Sequence, residues 1–526
     1  MWWAVSLVAL VDVVVIARAV SRGYGVENTI AWVMAILALP VVGALGYMTL
    51  ASPSLKRTTR RKRLRNLPVR SKASTRDWTT AGGASASRGR ASEIGPPDST
   101  GATVLHMASA LTGLDSWRGN EVTLLVDADD AVGQMRAALI GAQRSIWIEF
   151  YIIKNDATGA RFLDRLAERA REGLEVRLLY DALGSIGIDA RRLEALRAAG
   201  GRVEAFLPFN PLRRRWAINL RNHRKLVVVD GEIGFTGGMN VGDEYSGRLG
   251  SRLTRQVKDQ LQRIGAGVGS GASSGAVGSG GAGAADPERR EAPPEESQAD
   301  TFRDTHLKIV GPAVADLAQI FAEDWSFATD EELTLPPPPP PCPEGEVVAI
   351  VPSGPDQEHN SSGLVYFSGV ATARQRAWLT SAYFVPDHAM IAALVSAALR
   401  GVDVRVLVPQ RSDVALVDAA ARSNFLVLLR GGVRIFLYQP SVLHAKTMVV
   451  DGAWGMVGSA NFDIRSFRLN FELGALVLGP HFADRMEARF KRDLEHSREV
   501  LAPELEARGF LERLRDGGAR LVSPLL

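Results

Sequence analysis

Cysteine is almost absent from these 526 residues: only Cys342 occurs, inside a proline run. Intrachain disulfides and multi-cysteine metal centres are therefore excluded, while the redox compartment is left open by that count. An excess of one sign of charge is lacking too. The net charge of +4 rules out a molecule that holds nucleic acid by a general basic excess. The pI near 9.2 then reflects local basic clusters. What is present suits globular domains with a membrane attachment: 46% hydrophobic and 23% charged residues. The length accommodates two or more domains with buried cores.

The N-terminus is the most apolar region. Ile30 to Leu50 runs for 21 residues without a charge, enough for a helix of about 30 Å, the thickness of a bilayer core. Pro40 within it is tolerable in a membrane helix. Trp2 to Ala17 is shorter and contains Asp12; it reads as a second span, an interfacial helix or the apolar region of a signal peptide. No Lys or Arg precedes it and no clear small-x-small site follows, which argues against cleavage. The expectation is a transmembrane helical hairpin over 1–52, with a short external loop around Arg22 to Asn28. Lys56, Arg57, Arg60, Arg61, Lys62, Arg63 and Arg65 come next. By the positive-inside rule they place everything downstream in the cytoplasm, as a multi-pass membrane protein, and they would be drawn to anionic headgroups.

Two regular blocks follow the basic stretch and flexible linker of 53–119: one over 120–332, the other over 346–526. In the first, Ser145 to Ile153 and Glu175 to Tyr180 read as strands around a helix at Ala160 to Glu172. Leu193 to Ala199 reads as a helix ended by Gly200-Gly201, before a strand at Arg202 to Leu207. The second block repeats this order with strands at Ala377 to Val385 and Asp403 to Val408 around a helix at Ala389 to Leu399. Short strings also recur, Val227-Val-Val-Asp-Gly against Met448-Val-Val-Asp-Gly among them. Strand–helix–strand units imply parallel or mixed sheet with helices on its faces, so an internal duplication into two similar α/β domains is expected. A Gly-, Ser- and Ala-rich insertion at about 250–300 cannot bury a core. Pro336 to Pro341, within a linker at 333–345, is a polyproline spacer.

One pattern occurs in both blocks with identical spacing: His-x-Lys-x4-Asp-x6-Gly-[Gly/Ser]-x-Asn. It runs through His223, Lys225, Asp230, Gly237, Gly238 and Asn240, and again through His444, Lys446, Asp451, Gly458, Ser459 and Asn461. Residues two apart on a strand point to one face. Two such faces brought together would make a pocket of two imidazoles and two ammoniums, suited to a phosphodiester. Lys225 and Lys446 would neutralise the anion, with Asn240, Asn461 and the Ser459 hydroxyl as further donors. One neutral histidine can attack phosphorus; the other, protonated, can serve the leaving alkoxide and then deprotonate the acceptor. The lysines supply the charge, so neither metal nor cofactor is needed. Asp230 and Asp451 each begin an Asp-Gly turn, and a turn role competes with direct chemistry.

On these residues the chain resembles the phospholipase D superfamily, and within it the bacterial cardiolipin synthases. Further matching strings are Ile148-Glu-Phe-Tyr-Ile, Asn219-Leu-Arg-Asn-His-Arg-Lys, Phe302-Arg-Asp-Thr-His, Tyr383-Phe-Val-Pro-Asp and Gly458-Ser-Ala-Asn-Phe-Asp-Ile-Arg-Ser-Phe-Arg-Leu-Asn-Phe-Glu. The resemblance covers roughly 120–526, and the 250–300 insertion departs from it. It implies transfer of a phosphatidyl group between two phosphatidylglycerol molecules at a membrane, with no nucleic-acid partner. It also implies a carboxylate beside each imidazole: Glu472 for His444, and Glu244 or Asp243 for His223. The nucleophile it favours is His223. Three readings stay open: lipid transfer, hydrolysis with water as acceptor, and a silent membrane scaffold, against which two intact motifs argue. His306 is a further pocket candidate, whereas His106, His359, His388, His481 and His496 read as surface or structural. Arg213, Arg214, Arg215, Arg221 and Arg224 are expected to face anionic headgroups. Oligomeric state is not legible.

Overall fold

The computed structural model describes residues 2–21, 26–50, 58–66, 69–70, 99–126, 128–208, 219–246 and 302–522. In the first half, strands Ser145–Phe150, Glu175–Asp181 and Arg202–Phe206 pair in parallel, with helices Ala157–Arg171 and Ala190–Ala198 as crossovers. The hairpin Lys225–Val229 with Ile233–Gly237 pairs antiparallel to Ser145–Phe150. His306–Val310 and then Trp117–Leu125 continue the sheet. The second half repeats this order and adds the edge strand Ser497–Glu499 beside Arg434–Tyr438. Arg376–Ser381, Asp403–Pro409 and Arg434–Tyr438 are parallel, followed by the hairpin Lys446–Val450 with Trp454–Gly458, then Asn470–Leu478 and Glu346–Ser353.

Trp117–Leu125 pairs with Glu346–Ser353 and joins the halves into one mixed sheet. Its hairpin strands are buried on both faces: all of Lys225–Val229 is buried, as expected when helices cover both sides. Each hairpin turns on an Asp-Gly pair with positive φ at both residues, 54° and 71° at Asp230-Gly231, 54° and 64° at Asp451-Gly452. Asp and Gly tolerate that left-handed backbone best.

The transmembrane part of the expected architecture is corrected. No helix among the described residues is long and apolar enough to cross a membrane. The run read as a 21-residue span is two pieces, Val26–Ala38 and Val42–Leu50. The break falls at Leu39 to Val41, where Pro40 lacks an amide hydrogen and Val41 has φ 67°, a backbone that ends a helix. Trp2–Val20 carries both Asp12 and Arg18. The multi-pass topology and the cytoplasmic orientation had spans as their premise and are withdrawn with them.

The basic stretch also departs from expectation. Residues 58–66 are helical, and Lys62 is buried between Asp324 at 2.7 Å and Asp356 at 3.1 Å. Arg65 pairs with Asp330 at 2.8 Å and Arg70 with Glu323 at 3.0 Å. These cations dock on carboxylates of the folded domains; Arg60 and Arg63 stay exposed. Lys56, Arg57, Arg213 to Arg215, most of the 53–119 stretch and the 250–300 insertion lie outside the described residues. The proline segment is packed: Leu333 and Leu335 are buried, and the Cys342 amide donates to the Gly119 carbonyl at 2.8 Å.

Candidate active site

Each motif histidine sits between its hairpin strand and a preceding two-residue strand clipped to the opposite half. Arg221–Asn222 pairs in parallel with Asn470 and Phe471, and the His223 amide donates to the Phe471 carbonyl at 2.9 Å. Val442–Leu443 pairs with Phe302 and Arg303, and the His444 amide donates to the Arg303 carbonyl at 2.8 Å. The two imidazoles are thus exchanged across the interface between halves. His223, Lys225, His444 and Lys446 are all buried. Lys225 Nζ donates to the His223 carbonyl at 2.7 Å; Lys446 makes the matching bond to the His444 carbonyl. His and Lys share a side, as their spacing suggested, through these loops onto the carbonyl rather than along a continuous strand.

The carboxylates are crossed as well. Glu472 Oε2 lies 2.9 Å from His223 Nδ1, and Asp304 Oδ2 lies 2.7 Å from His444 Nδ1. The expected assignment of Glu472 to His444 is corrected. Glu244 instead pairs with Lys154, and Asp243 accepts from the Thr158 amide at 2.9 Å. The glycines of the signature make room for this arrangement. A side-chain carbon at Gly237 would meet the Thr305 carbonyl at 2.6 Å and His306 Nδ1 at 2.7 Å, and one at Gly238 would collide with the Asp304 carboxylate. At the matching position of the second copy, Ser459 donates its hydroxyl to Glu472. That hydroxyl also accepts from the Leu473 amide at 2.9 Å.

His223 Nδ1 faces two acceptors, Glu472 and the Ser459 carbonyl at 3.1 Å. It therefore carries the hydrogen and leaves the Nε2 lone pair available. Burial pushes the His223 pKa down to about 4, Lys225 and Lys446 adding to the effect and Glu472 opposing it. His444 is lowered too, by burial and by Lys446, whose Nζ lies 2.6 Å from Nδ1 and 3.0 Å from Nε2. Burial brings Lys446 down to about 8 against the pull of Asp304 and Glu472, and it holds Lys225 well below the usual lysine range. Burial alone would raise Glu472, but His223 and Lys225 hold it at about 2.

Behind His223 lies a buried ion chain. Lys62 pairs with Asp324, and Asp324 with Arg224 at 2.5 Å. The Arg224 Nε donates to the Glu472 carbonyl at 3.1 Å. Arg221 pairs with Asp181 at 3.2 Å. Arg221 and Arg224 therefore brace the site and do not face headgroups. Asn240 donates to Tyr245 Oη at 3.0 Å and accepts from the Ile152 amide at 3.3 Å. Asn461 is buried, and its amide donates to Ser466 Oγ at 3.1 Å. Tyr151 packs on His223 with ring centroids 4.7 Å apart, and Phe302 on His444 at 5.4 Å.

Asp230 and Asp451 are outside this cluster, at the far ends of the strands that begin with the lysines. Asp230 accepts from the backbone amides of Gln143, Arg144 and Ser145 at 2.7–2.8 Å. Asp451 does so from Arg374, Gln375 and Arg376. His306 is buried, with its pKa brought to about 4 by burial, and neither ring nitrogen has a partner among the described residues. The five remaining histidines are exposed. Among the described residues no group of His, Cys, Asp and Glu is arranged to hold a metal. Asp304 was missed in the sequence. Gly238 and Asp304 stand 66 positions apart, whereas Ser459 and Glu472 stand 13 apart. The insertion hides an offset that would otherwise have paired them.

The chain is similar to known proteins along most of its length. A family model described as "Cardiolipin synthase, PLD-like domain" matches residues 135–247 and 368–494. A second, "Phospholipase_D-nuclease N-terminal", matches residues 4–50. The chain is 35% identical to cardiolipin synthase A of Pseudomonas aeruginosa (strain LESB58) over 503 residues, covering 95% of this chain and 91% of that one. It is 32% identical to cardiolipin synthase A of Pseudomonas putida (strain F1) over 527 residues, covering 100% and 98%. The crystal structure of phosphatidylserine synthase from Haemophilus influenzae Rd KW20 superposes with a TM-score of 0.56 at 14% identity, over 81% of this chain and 100% of that one. That likeness concerns the fold.

Proposed function

The chain belongs to the cardiolipin synthases of the phospholipase D superfamily, and from that premise we propose that it transfers a phosphatidyl group from one phosphatidylglycerol to a second, releasing glycerol. The observation that carries the reading is the crossed pair of imidazole–carboxylate contacts in one buried cluster with two lysines. In the first step His223 Nε2 attacks phosphorus, the bond to the headgroup glycerol oxygen breaks, and His444 gives that oxygen its proton. In the second step His444 takes the proton from a hydroxyl of the incoming phosphatidylglycerol. That oxygen attacks phosphorus and the N–P bond breaks. The products are cardiolipin and glycerol, and both imidazoles return to their starting states.

The electrostatics support this division. Burial and two neighbouring ammoniums favour neutral imidazoles. A phosphodiester anion offsets the ammoniums and raises both His444 and the lysines toward protonation. His444, held against Asp304, then becomes the acid, while His223 keeps the hydrogen on Nδ1. The substrates are bilayer lipids, so the enzyme works at the cell membrane.

The test is detergent-solubilised protein with radiolabelled phosphatidylglycerol and separation of the lipid products. Cardiolipin and free glycerol in equal amounts are expected. Phosphatidic acid without cardiolipin would overturn the reading in favour of hydrolysis.

A further inference from the structure

The duplication allows each cavity of one half to be compared with the same place in the other. In the first half, helices Ala128–Gly141 and Ala157–Arg171 diverge beside the segment that follows the signature. They leave an open cavity of about 650 Å³, within the ~300–1,000 Å³ of small-molecule sites. Its wall is largely apolar: Met135, Leu139, Phe150, Phe162, Met239 and Val241. Arg136, Arg161 and Arg165 also line it, together with Asp129, Asp164 and Glu168. Glu168 is taken by Arg165 and Asp164 by Arg192.

The second half fills the corresponding space. Counting from the signature asparagines Asn240 and Asn461, Val241 corresponds to Phe462 and Ser246 to Phe467. Phe462 and Phe467 are buried and pack on each other at 5.7 Å and on Tyr366 at 5.4 and 6.0 Å. Phe384 closes the cluster against Phe462 at 5.4 Å. Two aromatic rings thus stand where the first half has an aliphatic and a hydroxyl side chain.

The open cavity adjoins the reactive cluster. Asn240 and Tyr245 line it, Asn240 donates to Tyr245 Oη, and the Tyr245 ring lies 5.6 Å from His444. We propose that this cavity holds an acyl chain of the phosphatidyl group while its phosphorus sits between the two imidazoles. This rests on the reading that the substrate is a phospholipid. Glycerol leaves in the first step, whereas the diacyl part stays on the enzyme, so a chain site belongs to the part retained. Two methionines suit chains of varying length and unsaturation, because an unbranched thioether repacks easily. Among the described residues this space is open in the first half and filled by Phe462 and Phe467 in the second, which gives the near-symmetric site one side for the retained lipid.

Gly133 provides the test. It lines the cavity, and a side-chain carbon there meets nothing within 4 Å. A larger residue also favours the helix, so Gly133→Phe fills space without threatening the fold. Val241→Phe with Ser246→Phe, which copies the second half, is the independent second variant. For phosphatidylglycerol with long acyl chains, Gly133→Phe should raise KM about tenfold with kcat within twofold. With a four-carbon-chain phosphatidylglycerol, both constants should match the wild type. A photoactivatable group at the end of an acyl chain should crosslink to residues 128–141 or 157–171 in the wild type and not in either variant. Equal effects on long and short chains, or crosslinks confined to other regions, would overturn the chain site. Crosslinking in the cavity by a protein that makes no cardiolipin would keep the site and overturn the transfer reading. Cardiolipin synthesis without crosslinking or chain-length dependence would do the reverse.

Discussion

In the first half, His223 offers its Nδ1 hydrogen to two acceptors, Glu472 and the Ser459 carbonyl. In the second, His444 shares Nδ1 between Asp304 and the Lys446 ammonium. The sheets around them have the same strand order, and each carboxylate comes from the opposite half. A duplicated fold has therefore produced half-sites that need each other and differ in how they hold a proton. Acceptors alone fix a tautomer. An ammonium against the ring makes the proton's position sensitive to a nearby anion, which is what separates a nucleophile from an acid–base.

The strongest way to break the comparison is to remove each imidazole. His223→Ala, which removes the nucleophile, and His444→Ala, which removes the acid–base, should each lower turnover by about 10⁴-fold. They should differ with a phosphodiester whose leaving group needs no proton. His444→Ala should then accumulate a covalent phospho-enzyme, visible by intact mass, and His223→Ala should form none. An adduct in His223→Ala would reverse the assignment of roles.

Next come the carboxylates. Glu472→Gln and Asp304→Asn should each cost roughly 10²–10⁴-fold in kcat, as expected when a buried group orienting an imidazole loses its charge. Glu472→Gln should slow formation of the adduct, because it disturbs His223. With a leaving group that needs no proton, Asp304→Asn should spare adduct formation and slow its release to the second lipid, because His444 then acts only as the base. Single-turnover measurements separate the two, and equal effects on both steps would remove the asymmetry.

A smaller effect should appear in the pH profile. Lys446, held at about 8, loses its charge as pH rises through that value, so kcat/KM should fall above about pH 8. His223, at about 4, becomes protonated only in more acid solution, where kcat/KM should fall again. In Lys446→Arg the guanidinium stays charged and the alkaline fall should disappear. A fall that persists in that variant would assign it to another group.

The α/β repeat and the two His-Lys pairs were legible because the spacing of each motif and the strand–helix alternation are local. The apolar run at Ile30 to Leu50 misled because hydropathy is a sum, while Pro40 and Val41 break the helix at a point. Lys62 was read as part of a cluster drawn to anionic headgroups. Only the fold brings it to Asp324 and Asp356, in a chain that reaches Arg224 and the backbone of Glu472. Asp304 was hidden by the insertion. The carboxylates could not be assigned to their imidazoles because spacing within a half carries no information about pairing between halves.

The smallest effect should come from the signature aspartates, which look equivalent to the histidines in sequence and are not in space. Asp230 takes three backbone amides in a turn at φ 54°. Asn keeps the left-handed backbone comfortable and one acceptor oxygen, but loses the charge that strengthens those bonds. Asp230→Asn should therefore lower stability by about 1–2 kcal/mol, read from the midpoint of urea unfolding. It should leave kcat and KM within about twofold, and Asp451→Asn should behave alike because its turn repeats the same contacts. A loss of kcat at unchanged unfolding midpoint would return the aspartates to the chemistry and make the turn role incidental.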